Sequence, residues 1–162
     1  MPAIDLILPS PTDDNERTVL SHVEDYGWHI SGIKADEQQG TPPYAFSVGL
    51  YYTFEVSEML VVGLPLPQSA SLINVIGEMV KAGKRFICET PRSDLMPGRS
   101  VMMRPVAARH YRAELGFAVW FYRSLPRVFP CWQAIWSDTN GRFPWDAQVD
   151  PAVRRVQTLF DR

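Results

Sequence analysis

The chain has 162 residues, 46% of them hydrophobic and 12% aromatic, with a formal net charge of −2. That length suits one domain, and that composition excludes a disordered chain. No stretch nears the roughly 20 apolar residues that span a bilayer, which sets aside a helical membrane protein. The charge is unevenly placed. Residues 1–80 carry two basic groups against eleven acids, and residues 81–127 carry ten basic groups against three acids. Such polarity suits two halves of one fold, or two protomers, attracting each other. Steering of an anionic ligand or a nucleic acid is disfavoured, because the basic residues are spread rather than packed in a run.

Residues 1–12 read as an irregular arm and 13–162 as a single domain. The start, MPAIDLILPSP, has no basic leader segment and is broken by Pro9 and Pro11. It is no signal peptide, so a cytoplasmic location is expected. A helix is predicted from about 13 to 26. Asp13 and Glu16 form a capping box, Val19, Leu20, Val23 and Tyr26 an apolar stripe, and Gly27 a stop. His22 falls just beyond that stripe. Trp28-His29-Ile30 begins a strand with His29 on the face opposite its neighbours.

In YAFSVGL the large residues Tyr44, Phe46, Val48 and Leu50 alternate with Ala45, Ser47 and Gly49, so the small face leaves room for a closely packed element. Met59 to Val62 is apolar on both sides and reads as a central strand. Leu72, Ile73, Ile76, Met79 and Val80 line one face of a second long helix, ended by Gly83. Residues 85–88 and 100–104 read as short strands around a loop, TPRSDLMPGRS. Pro105 opens helical segments at 106–115 and 117–123, separated at Gly116. Residues 130–136 and 142–145 read as a hairpin turning at Asn140-Gly141, and 151–160 as a short helix that docks back. Without strict alternation of strand and helix, the fold class is α+β. It should hold a mixed, mainly antiparallel sheet or partial barrel with three to four helices packed against it.

Residues of catalytic type are few. Among His22, His29 and His110, no two share a metal-ligand spacing, and Cys88 and Cys131 form no Cys-x-x-Cys motif. The sequence therefore indicates neither metal nor cofactor. His29, mid-strand, and Glu58, ahead of a buried strand, are the candidates for acid–base chemistry. For each, a structural role is favoured. Ser47 lacks the strand-to-helix context of a nucleophile elbow and reads as strand packing. The conspicuous segment is FPCWQAIWSDTNGRFPW, residues 129–145. Trp132 and Trp136 share one face of a strand, with Gln133 on the other. As core, the segment anchors the fold. As a cleft wall it would offer Trp132, Gln133, Trp136, Asp138, Arg142 and Trp145 to a flat or extended ligand. The core reading is favoured.

Four blocks carry a resemblance: Tyr26 to His29, Pro43 to Leu50, Glu58 to Pro65, and Phe129 to Trp136 continuing through Asp138 to Trp145. Over roughly residues 14–146 the chain resembles the bacterial domain-of-unknown-function family 4262. Where that pattern usually reads Pro-Glu-Leu, this chain has Ser57-Glu58-Met59 and keeps the carboxylate. The resemblance implies a small bacterial one-domain protein and supplies no reaction. Two functional readings remain. The favoured one is a non-catalytic interaction module that binds a protein partner or forms a homodimer. The alternative is a small-ligand binder or enzyme whose aromatic cleft lies between the 129–145 hairpin and strand 44–50.

Overall fold

The computed structural model describes all of residues 1–162. Strands β1 (His29–Ile33), β2 (Tyr44–Val48), β3 (Glu58–Val62), β4 (Arg92–Met96), β5 (Arg99–Pro105) and β6 (Cys131–Trp136) form one open sheet in the order β1-β2-β3-β6-β5-β4. All neighbours are antiparallel except β3 and β6, which run parallel. The helices are α1 (Asp14–Tyr26), α2 (Leu50–Phe54), α3 (Leu66–Lys81), α4 (Tyr111–Glu114), α5 (Gly116–Phe121) and α6 (Pro151–Val156). This is an α+β fold with a mixed, mostly antiparallel sheet that does not close into a barrel. No helix is long and apolar enough to cross a membrane.

Helices cover both faces. On one, α3 and α6 bury Leu72, Ile73, Ile76 and Val153 against Ala45, Met59, Val61 and Trp136. On the other, α1, α4 and α5 bury Val19, Tyr111, Ala118 and Phe121 against Phe46, Val48, Leu60 and Val62. All five residues of β3 are buried, as expected of a strand apolar on both sides. Each fully buried large apolar side chain contributes about 1.5–3 kcal/mol, so Met59 and Val61 on one face and Leu60 and Val62 on the other tie β3 into both cores.

Local signals set the limits of α1. The Asp13 carboxylate accepts from Glu16 N at 2.8 Å, while the Glu16 carboxylate accepts from Thr12 N at 2.7 Å, one residue earlier than a capping box would have it. Gly27 closes the helix at φ 100°. The small face of β2 receives α3, with Ala45 in the α3 core.

Three sequence expectations are corrected. Residues 85–88 form no strand, and the paired strand is β4, inside the segment expected to be a loop. Pro97-Gly98 is the tight turn of the β4–β5 hairpin. β4 opens with the polar residues Arg92, Ser93 and Asp94 because it is an edge strand in which only Leu95 is buried. Residues 142–145 form no strand, so β6 enters the sheet without a hairpin partner. Its ladder groups go instead to β3, β5 and the C-terminal tail. The Gln157 side chain accepts from Trp136 N and donates to Trp136 O, both at 2.9 Å, in place of a neighbouring strand. Finally, Ser47 does precede a strand-to-helix turn, because Gly49 (φ 110°) ends β2 and α2 follows at once.

Candidate functional site

Glu58, at the start of β3, is fully enclosed. Its Oε1 accepts from Ser47 Oγ (3.1 Å) and Leu50 N (2.7 Å), and its Oε2 from Gly49 N (2.8 Å) and Tyr122 OH (3.1 Å). Ser47 Oγ in turn accepts from Met59 N, and Tyr122 OH from Tyr52 N. The carboxylate thus fastens β2, the start of α2 and the turn after α5 to β3. This turn needs glycine at position 49, because φ is 110° and a Cβ there would meet Val23 at 2.8 Å and the Gly27 carbonyl at 3.0 Å. Burial pushes the Glu58 carboxyl up to about 7, while the four donors pull it down. The same burial, with the Glu58 charge next, raises the Tyr122 phenol and the Cys131 thiol.

His29 lies opposite Val48 on the α1 face of the sheet. Its Nδ1 stands 2.8 Å from His22 Nδ1, the rings stack at 5.0 Å, and Phe117 meets His29 edge-on. One proton fits between the two nitrogens, so the contact requires at least one neutral ring. Burial, then the charge of His22, lowers His29 from 6.5 to about 4. Its contribution to stability is therefore complete above pH 6.5 and fades as the pH falls toward 4. In thermal melts the stability difference between His29→Phe and the native chain should therefore shift in the variant's favour as the pH falls through this range.

Glu58 and His29 share this face without a hydrogen bond between them. Trp136 belongs to the opposite face and donates from Nε1 to Val62 O at 2.8 Å. Gln133 is buried and exchanges hydrogen bonds with Thr158 O and Phe160 N of the tail. Asp138 accepts from Asn140 N, Arg142 N and Asp150 N, which organises the loop after β6 and lowers its own pKa. The Arg142 side chain points outward to Gln148 O. Trp145 stacks on Phe143 and lies beneath the Arg104 guanidinium at 3.7 Å. Trp132, half-buried, borders a small hollow of about 220 Å³ with Phe86 and Val56. Strands β2 and β6 are separated by β3. The cleft expected between strand 44–50 and a 129–145 hairpin is therefore not built in that form.

Asp138→Asn keeps Oδ1 for Asn140 and Arg142 but presents an amide N–H toward Asp150 N. Faster exchange of the Asp150 amide, with the 140–142 turn retained, is the expected result.

The open concave surface lies elsewhere. One hollow of about 510 Å³ is lined by His22, Tyr26, Trp28, Asn74, Glu78 and Lys81. A second, of about 730 Å³, shares Tyr26 and Lys81 and is walled by Leu8, Leu20, Val23, Phe54 and Phe121, with Glu24 and Asp25 among its lining residues. Trp28 is held under the first by its indole N–H to Asn74 Oδ1 at 3.0 Å. Tyr26, expected in the core stripe of α1, is 64% exposed between the two hollows. It keeps the helical face of Val19 and Val23 but is the last residue of the helix, before the Gly27 turn, and lines both hollows instead of the core. Tyr26 is the residue whose role the periodicity misassigned.

The family model for the domain of unknown function DUF4262 matches residues 22–150. The chain belongs to this family. All four blocks that suggested it overlap the match, and in the fold they form the α1–β1 turn, β2 with its turn into α2, β3, and β6 with its following loop. No curated protein matches, and no solved structure does. No three His, Cys, Asp or Glu side chains of this family member come together as a metal-binding group.

Proposed function

We propose that this DUF4262 protein is a non-catalytic interaction module whose recognition surface is the double hollow around Tyr26. One observation carries the reading: the carboxyl with the most catalytic pKa, Glu58, is sealed and has an accepting site committed to each of four donors, whereas the open concave surface is mainly apolar with acidic residues in its lining. A general acid must reach the proton it moves, and Glu58 has neither exposure nor a spare lone pair. A hollow walled mainly by apolar side chains, with Glu24 and Asp25 in its lining, Lys81 shared with the neighbouring hollow and an exposed tyrosine between the two, has the composition of a protein-recognition surface. A cytoplasmic setting in a bacterium belongs to the same reading, supported by two free cysteines, one half-buried and one buried.

The competing reading is a small-ligand site, because hollows of these volumes fall within the range of ligand pockets. A thermal-shift screen against nucleotides, flavins and divalent metals separates the two. A ligand at a hundredfold excess over its Kd adds about 2.7 kcal/mol, a clear shift. No shift is expected. A shift that Tyr26→Ala abolishes would replace the module reading with the ligand reading.

A further inference from the structure

We propose that the partner is a second copy of this chain, bound about a two-fold axis through the surface made by the N-terminal arm, the end of α1 and the turn after α5. This inference rests on the interaction-module reading and names its partner.

The arm is irregular but tied down. Ala3 N and Ile4 N both donate to Tyr52 O at 3.0 Å, Ile4 is buried, and Ser124 Oγ donates to Ile7 O at 2.6 Å. So fixed, it presents apolar side chains outward, with Ile7 81% and Leu8 41% exposed. A bound arm that faces water with its large aliphatic side chains has the form of half an interface.

Charges of opposite sign flank this apolar strip. Leu8 shares its hollow with Glu24 and Asp25, and Ile7 is held by Ser124, the neighbour of Arg123. All three charged residues are exposed, and none is in an ion pair within the chain. A two-fold axis through the strip would set the acids of one copy against Arg123 of the other, twice over, with the aliphatic residues between them. Self-complementarity of this kind is what an isologous interface requires. It also gives the unequal charge of the two chain segments a place to act.

Sedimentation velocity up to about 1 mM protein reads the association directly. The native chain should dimerise, and Ile7→Asp should weaken the dimer at least tenfold. Its side chain is already in water, so folding is not at stake, and an unchanged melt would confirm that. Glu24→Arg with Asp25→Arg should weaken self-association, and so should Arg123→Glu. An equimolar mixture of these two variants should recover a dimer, because each copy then offers what the other lacks. A native chain that stays monomeric throughout overturns the proposal and leaves the module reading to its own ligand screen. A dimer indifferent to Ile7→Asp and to both charge reversals overturns this surface as the interface.

Discussion

Glu58→Ala is expected to lose about 3–5 kcal/mol of folding stability, a large share of what a domain of this size possesses. The substitution leaves Gly49 N and Leu50 N, both bonded to the carboxylate at 2.7–2.8 Å in a buried position, with no acceptor. Each such orphan costs about 1–3 kcal/mol, and the Ser47 and Tyr122 hydroxyls lose their acceptor as well. Removal of a buried charge offsets part of this, which is why the total stays below the sum of the parts. Glu58→Gln is no rescue. Each carboxylate oxygen accepts one backbone N–H, so either orientation of the amide sets an N–H₂ group against a backbone donor. Urea denaturation at pH 7 measures both variants.

The pH dependence gives a second signature. The folded Glu58 carboxyl titrates near 7 rather than 4.5, so between those values the folded state holds the extra proton. Its contribution is present below pH 4.5 and lost as the pH rises toward 7. His29 acts in the opposite sense over pH 4 to 6.5. The native profile should therefore be flatter than either group alone would make it. Glu58→Gln should unmask the acid-side loss due to His29, and His29→Phe should unmask the alkaline-side loss due to Glu58. If neither substitution changes the slope, this account of the two groups fails.

Gly63→Ala is the second substitution with a large expected effect, about 3 kcal/mol. Gly63 follows β3 at φ 93°, a conformation that costs a side-chain-bearing residue about 1–2 kcal/mol. A Cβ there would also stand 2.4 Å from the Val156 carbonyl oxygen and 2.9 Å from its carbon. Those atoms are backbone at the end of α6, so no rotamer change relieves the clash and the helix must move. Displacing Val156 pulls on Gln157, whose amide holds both backbone groups of Trp136. Hydrogen exchange should therefore quicken first in residues 151–160 and at the Trp136 amide. Exchange that quickens uniformly across the sheet would refute a local release of the tail.

The sequence made some parts of this fold legible and hid others. Helix α1 was readable because its cap, its stripe at Val19 and Val23 and its Gly27 stop all act within one or two turns. The same holds for α3, and for β3, whose unbroken apolar run matches burial on both faces. Strand β4 was hidden because an edge strand carries polar residues that resemble a loop. The 142–145 strand was expected because Asn140-Gly141 suits a hairpin turn, but Asp138 uses its carboxylate to fold that segment into a compact loop instead. Glu58 was singled out as a partly buried carboxyl, while its partners could not be found locally. Ser47 and Tyr122 lie 11 and 64 positions away.

By itself, then, the aromatic segment 129–145 determined the family blocks it carries and the common face of Trp132 and Trp136, because side-chain alternation along a strand is a local property. Only the tertiary structure decided that β6 runs parallel to β3, that Trp136 fills the α3 core, and that Gln133 and Gln157 fasten the tail. It also decided that His22 meets His29 and that Tyr26 stands between two open hollows. The strand pairing, the burial of Trp136 and the fastening of the tail depend on which faces meet across long stretches of chain, and the free energy that selects among such pairings comes from burial summed over the whole core rather than from any short window of residues.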